Sequence, residues 1–275
     1  MRFESREILL VLHLPPLPGA PGWTAAGAPA LSELTDAVIS KAQLFASEGA
    51  TGLIMENFGD APFYPGAVPP ETVASMAVIG AALRRELDLP LGINVLRNDG
   101  AAALALAVAL GAEAVRVNVL SGVAATDQGL VASAAHDLLR ERERLSAGPS
   151  GARAVKILAD VHVKHARPLG EQDIATAAID LAERAGADAV IVSGTRTGSP
   201  PSVADLDCVG AALDELDRRV PLLLGSGVNA DNAAKLVPRC NGAIVASAAL
   251  KGGRAGAAAD PDRTRRLIAA IRDAS

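Results

Sequence analysis

Val220-Pro-Leu-Leu-Leu-Gly-Ser-Gly-Val-Asn-Ala-Asp-Asn232 is an apolar run that stops abruptly at Gly225-Ser226-Gly227. It then enters a helix-like segment, with Asn229 placed to cap it. Glycines permit a tight turn and let a ligand come close to the main chain. The N–H groups at a helix start favour an anion, most often a phosphate. Cys240-Asn-Gly-Ala-Ile-Val-Ala-Ser-Ala-Ala249 repeats the pattern of strand, small residues and turn. Two such strand ends in succession near the C-terminus are what a (β/α)8 barrel uses to hold a phosphate. The plainer reading is two ordinary strand-to-helix turns.

Outward from that stretch, the chain alternates strand and helix patterns. Ile8 to Leu14 reads as a buried strand, halted by Pro15-Pro16-Leu17-Pro18-Gly19. Further strands are expected at Thr51–Glu56, Leu91–Val95, Ala114–Val119, Ala154–Asp160 with an extension to Val163, and Ala189–Ser193. Helices are expected between them, including Thr126–Leu145 as one long amphipathic helix and Glu171–Arg184. Asp99 is placed to cap the helix of Ala101–Leu110, and Gly49, Gly111 and Gly186 to end helices. Eight units in strict alternation point to one closed (β/α)8 TIM barrel spanning 1–275. A doubly wound sheet is the alternative, but no GxGxxG follows the first strand. Ser146–Gly151 is the best candidate for a domain boundary, and its length fits a loop inside one domain. Lys251–Ala259, rich in Gly and Ala, reads as a mobile segment.

Composition narrows the class. Of 275 residues, 50% are hydrophobic and only 2% aromatic, so the core must be built from Ala, Val, Leu and Ile. Such a core suits parallel strands covered by helices. The net charge is −5, and no segment is rich in Lys and Arg, so nucleic acid is not an expected partner. Cys208 and Cys240 form no CxxC, which fits a reducing, cytoplasmic setting. The N-terminus is not patterned as a signal peptide. The longest apolar runs reach about half the ~20 residues of a membrane span, so no integral membrane segment is expected.

Polar residues recur where barrel strands should point inward, at alternate positions near their C-terminal ends. They are His13, Glu56, Asn94, Arg116 and Asn118, Lys156, Asp160 and His162, and Ser193. Each has a modest reading: a structural histidine, a loop salt bridge, a cap, or a neutralising cation. Together they would converge on the mouth where barrel enzymes keep their chemistry. Asp160 and His162, two residues apart, make the best local pair. Glu56, Asp160, His162 and His13 are the candidate proton-transfer groups. Asn94, Arg116, Asn118, Lys156 and Ser193 are candidates to hold the substrate. Gly225, Ser226, Gly227 and Ser247 would hold its phosphate. A Schiff-base lysine at Lys156 or Lys164 would need burial to lower its pKa. No cofactor is expected; a divalent cation, if one binds, would take Glu56, Asp160 and His162. Trp23, Phe58, Phe63 and Tyr64 fall on loops, which fits a recognition wall or a subunit contact, and a homo-oligomer is expected.

Several of these residues sit in recognisable groupings. His13-Leu-Pro-Pro-Leu-Pro-Gly19, Glu56-Asn57-Phe58-Gly59-Asp60, Gly92-Ile-Asn-Val95, Arg116-Val-Asn118, Asp160-Val-His-Val-Lys-His165 and Leu224-Gly-Ser-Gly-Val-Asn229 together resemble the BtpA/SgcQ family. The resemblance runs from about Ile8 to Leu250. It implies a phosphate-binding TIM barrel, similar in outline to the barrel isomerases of aromatic amino-acid biosynthesis. It also implies two kinds of role. Some members are associated with photosystem I biogenesis and lie peripherally on thylakoid membranes, and others lie beside sugar-metabolism genes. One departure is that the last strand commonly ends in Gly-Ser or Gly-Thr, where this chain has Ala246-Ser247. The expected function is therefore an enzyme (isomerase, lyase or hydrolase) acting on a small phosphorylated sugar- or nucleotide-like compound. The alternatives are a non-catalytic assembly factor and a metal-dependent hydrolase.

Overall fold

A computed structural model describes residues 1, 6–146, 155–170 and 173–274. The chain runs β1 (Glu7–His13), α1 (Pro21–Ala25), α2 (Leu31–Glu48), β2 (Gly52–Glu56), α3 (Pro70–Glu86), β3 (Leu91–Asn94), α4 (Gly100–Leu110) and β4 (Ala114–Val117). It continues through β5 (Val123–Thr126), β6 (Gly129–Ala132), α5 (Ala135–Ser146), β7 (Lys156–Val161), β8 (Ala166–Pro168), α6 (Ile174–Ile179) and β9 (Ala189–Val192). The last elements are α7 (Val203–Asp214), β10 (Leu222–Leu224), α8 (Ala233–Leu236), β11 (Gly242–Val245) and α9 (Pro261–Asp273). Eight parallel strands close in the order β1-β11-β10-β9-β7-β4-β3-β2. The first and last strands are neighbours, so closure ties the two ends of the chain together.

Period-two alternation sorts the strand residues. One set, including Leu10, Leu12, Met55, Ile93, Val115 and Ile157, packs outward against the helices. The other, including Leu9, Val11, Ile54, Leu158, Ile191 and Leu223, fills the barrel interior. Met1 joins the interior cluster near Gly92, at the N-terminal end of the strands. Helix boundaries follow local chemistry. Asp99 accepts from the Ala102 N–H at 2.9 Å and caps α4, as its sequence predicts. Gly49 and Gly111 end α2 and α4 in the left-handed region, where a Cβ is costly. Asn229 does not start a helix directly. It accepts from the N–H groups of Asp231 and Asn232 in a turn, and α8 begins at Ala233.

The expected helix Thr126–Leu145 is the main departure. Its first part is the end of β5, a turn and β6 of a hairpin, and only Ala135–Ser146 is helical. Gly129, at φ 97, forms the turn, and the Thr126 hydroxyl donates to its carbonyl at 2.9 Å. Ala and Leu suit a helix locally, but Ala124 and Val131 gain a partner surface as strands, against Val119 and Val163. β8 adds to β5, giving a small sheet ordered β6-β5-β8 beside the barrel. Lys251–Ala259, expected to be mobile, packs back on the barrel, where Leu250 pairs with Ala259. The turn Ser146–Gly151, Ala154 and Glu171 lie wholly or partly outside the described residues.

Leu158 is fully buried inside the barrel. Leu158→Ala should lower unfolding stability by about 2–5 kcal/mol. The check is urea denaturation, with a lowered midpoint and an unchanged slope. A loss below about 1 kcal/mol would mean the interior is not close-packed there.

Candidate active site at the barrel mouth

The inward face of each strand changes character toward its C-terminal end. Val11 is followed two residues on by His13, Ile54 by Glu56, Ala114 by Arg116 and Asn118, Leu158 by Asp160, and Ile191 by Ser193. His13, Glu56 and Asn94 lie side by side in register on β1, β2 and β3. His13, Glu56, Asn94, Arg116, Asn118 and Asp160 are all buried. Seven predicted residues, these six with Ser193, thus form one polar layer above an apolar floor.

Asp160 organises one half of the layer. It receives Arg116 Nε at 2.9 Å and Nη2 at 2.8 Å, Asn118 Nδ2 at 2.8 Å and the Ser193 hydroxyl at 3.2 Å. Burial works against the Arg116 charge, but Asp160 outweighs it and the guanidinium pKa is raised. With four donors on its two oxygens, Asp160 is saturated. Its acceptor positions are thus taken up by side chains of the barrel itself. Asn94 donates to the Arg116 carbonyl at 3.1 Å, while the amide oxygens of Asn94 and Asn118 are buried with no partner among the described residues.

Glu56 organises the other half and differs in kind. Among the described residues its carboxylate makes no side-chain hydrogen bond, and its one ion-pair contact is His13 Nε2 at 3.7 Å. The His13 ring stacks on Phe58, and its Nδ1 accepts from the Gly256 N–H at 3.1 Å. Burial pushes the His13 pKa down to about 4, so the ring is neutral at pH 7. Because Nδ1 accepts, the proton sits on Nε2, facing Glu56. The loop motif around them is structural. Asp60 accepts from the Leu17 N–H at 2.9 Å, and Asn57 Oδ1 from the Leu96 N–H at 2.7 Å. Asn57 also donates to Asp60 at 3.1 Å, so the loops after β1, β2 and β3 are tied together.

A model of the BtpA family matches residues 4–273. The chain belongs to the BtpA family. The photosystem I biogenesis protein BtpA of Synechocystis sp. is 43% identical over 264 residues, spanning 96% of this chain and 87% of that one. An uncharacterised protein of Pyrococcus horikoshii is 43% identical over 254 residues, spanning 92% and 91%. Among solved structures, N-(5'-phosphoribosyl)anthranilate isomerase of Pyrococcus furiosus gives a TM-score of 0.56 at 12% identity, covering 98% of this chain and 100% of that one. Thiamine phosphate pyrophosphorylase of Pyrococcus furiosus gives 0.52 at 18% identity, covering 98% and 96%. At these identities the structural likeness shows the barrel alone.

Three parts of this BtpA-family mouth differ from expectation. His162 does not join Asp160. Its backbone takes φ 48, which swings the ring away, and the carboxylates acting on it are Asp205 of α7 and Asp173 at the start of α6. Lys156 opens β7, four residues before Asp160, so it lies roughly 13 Å down the strand, at the other end of the barrel. Ser226 spends its hydroxyl on protein. It accepts from the Gly194 N–H at 3.0 Å and donates to the Ser199 carbonyl at 2.9 Å. A Cβ on Gly227, at φ +73, would come 2.1 Å from Pro200 N, and one on Gly225 would come 2.2 Å from Ser193 Oγ. These glycines therefore let the loop after β9 pack on the loop after β10. What remains for an anion there is the Ser247 hydroxyl and the N–H groups of Gly227 and Ser247, which have no partner among the described residues. Among the described residues no group of three or more His, Cys, Asp and Glu is placed to hold a metal ion.

Sequence reasoning missed Arg97. It lies three residues past Asn94, on the mouth side, and that position was the available signal. It is buried, and its Nη2 donates to the Lys164 carbonyl at 2.6 Å. Lys164 belongs to the mouth too, since its ammonium feels Arg116, Glu56, Asp160 and Arg97.

The His13 shift has a sign that can be checked. Between pH 6.5, the usual histidine value, and about 4, the unfolded chain binds a proton that the folded chain refuses. His13 therefore makes the fold lose stability as pH falls through that window, by at most about 3 kcal/mol. His13→Gln should remove that share. The stability difference between wild type and variant, from urea unfolding, should narrow or reverse between pH 7 and pH 4. A difference independent of pH would show that His13 does not titrate this way.

Proposed function

We propose that the mouth is the active site of an enzyme acting on a small phosphorylated compound, sugar- or nucleotide-like, by general acid–base chemistry. The observation that carries this reading is the contrast between two buried carboxylates. Asp160 is saturated by donors, whereas Glu56 lacks a hydrogen-bond donor within ordinary reach among the described residues. A buried carboxylate left uncommitted costs stability and is what proton transfer needs. Glu56 takes the proton, with neutral His13 beside it. The unpaired amide oxygens of Asn94 and Asn118 accept from substrate hydroxyls. The phosphate rests on the Gly227 and Ser247 N–H groups and the Ser247 hydroxyl. Barrel relatives named for phosphorylated compounds support the substrate class by analogy only.

A second reading is a non-catalytic assembly factor, after the name of the Synechocystis relative. One observation favours it: Leu130 and Leu169, on or beside the small sheet, are 67% and 55% exposed.

A thermal-shift panel of phosphorylated sugars and nucleotides, each paired with its dephosphorylated form, separates the two. A true ligand at a hundred times its Kd stabilises by about 2.7 kcal/mol, a rise of several degrees. Glu56→Gln should keep that rise and cut turnover by about 100-fold or more. Turnover unchanged in Glu56→Gln would refute the assignment of the base. A panel without any response would favour the assembly reading.

A further inference from the structure

We propose that Arg97 and Lys164 form a second oxyanion subsite, so that the substrate carries two anionic groups at opposite sides of the mouth. This rests on the reading above and deepens it, since the substrate class becomes a phosphorylated compound with a carboxylate or a further phosphate.

The first argument is position. Arg97 follows β3 and Lys164 follows β7, the two strands that flank β4 in the closed order β1-β11-β10-β9-β7-β4-β3-β2. Gly227 and Ser247 follow β10 and β11, on the far side of the ring. A small molecule crossing the mouth would meet one anion site at each end.

The second argument is missing counter-charge. Arg97 is 4% exposed, yet among the described residues it has no carboxylate at ion-pair distance, and its Nε has no partner at all. Its one side-chain bond ties Nη2 to the Lys164 carbonyl. The Lys164 ammonium likewise has no ion pair or hydrogen bond among the described residues. Asp160 is within electrostatic reach of both, but Arg116 already holds it. Arg97, Arg116 and Lys164 thus share Glu56 and Asp160, with Asp127 of the hairpin also acting on Arg97 from a distance, and no carboxylate is left to pair with Arg97 or Lys164 directly. Burial works against both charges and lowers both pKa values. Arg97 is buried and Lys164 half-buried; a cation held away from water without a partner is costly, and an oxyanion relieves it.

The third argument is how Lys164 is held. His162 at φ 48 and His165 at φ 57 bracket it, both in the left-handed region that side chains avoid. His165 Nε2 accepts from the Thr197 N–H at 3.2 Å and meets the Thr197 hydroxyl at 3.0 Å, and Val163 is buried under the small sheet. The chain accepts strain on both sides of one lysine and so keeps it over the barrel. The other unpaired buried atom nearby is Gln128 Oε1, on the turn between β5 and β6. Asp127, beside it, acts electrostatically on Arg97. All four unpaired buried side-chain atoms among the described residues therefore belong to this mouth or to the hairpin that follows β4.

Two probes that differ only at the second anion provide the test: glycerol phosphate and phosphoglycerate, titrated at constant ionic strength and followed by calorimetry and melting temperature. Wild type should bind phosphoglycerate at least about tenfold tighter, the usual scale for a buried charge pair. Lys164→Met and Arg97→Gln should erase the preference while keeping glycerol phosphate binding, and Lys164→Arg should retain a preference. Equal binding of the two probes by wild type overturns the second subsite and leaves the phosphate reading standing. A preference that persists in both Lys164→Met and Arg97→Gln does the same. No binding of either probe, or of inorganic phosphate, defeats both. Melting temperatures without ligand show whether each variant is folded, and Lys164→Arg keeps the test decisive if Lys164→Met is not.

Discussion

The bidentate pair between Arg116 and Asp160, at 2.9 and 2.8 Å inside the barrel, is the contact on which the mouth depends. It joins β4 to β7, which are paired strands, across their inner faces. Neither charge could be buried alone, because desolvation of one ion costs several kcal/mol. Once they are paired, Asn118 and Ser193 can complete the Asp160 shell, and Asn94 can tether to the Arg116 backbone. One ion pair thereby fixes the polar side chains of four strands. It also divides labour, since a carboxylate that holds four donors cannot also exchange a proton cheaply. Glu56 has no such donors among the described residues.

The fold was readable because it rests on short-range rules. Eight alternating units, helices ended by Gly49 and Gly111, and the Asp99 cap are each local, and each appears as expected. The polar layer was readable for the same reason. In a strand, position parity decides which side chains face inward, so Glu56, Asn94, Arg116 and Asp160 could be placed by counting from apolar neighbours. Parity has no sense of height, however. It put Lys156 on the correct face but at the wrong end of the barrel.

What could not be read depends on backbone turns and tertiary partners. His162 sits two residues beyond Asp160, and a strand would have kept the pair together. A left-handed turn at His162 separates them instead and delivers Lys164 to the mouth. The hairpin of β5 and β6 has a composition that suits helix, and only its packing against Val119 and Val163 makes it a sheet. The glycines of Gly225-Ser226-Gly227 illustrate a different failure. Their lack of side chains was correctly seen as required, but the atoms that need the room are those of Ser193 and Pro200. A missing Cβ announces close approach without saying what approaches.

The apolar floor gives these charges their leverage. Leu9, Leu158 and Leu223 fill the barrel beneath them. In such surroundings an unscreened charge acts more strongly than in water. The placement of protons follows from this. His13 is kept neutral by burial, and the Gly256 N–H on Nδ1 forces its proton onto Nε2, toward Glu56. Across the mouth, Arg97 keeps its guanidinium buried with no carboxylate at ion-pair distance among the described residues.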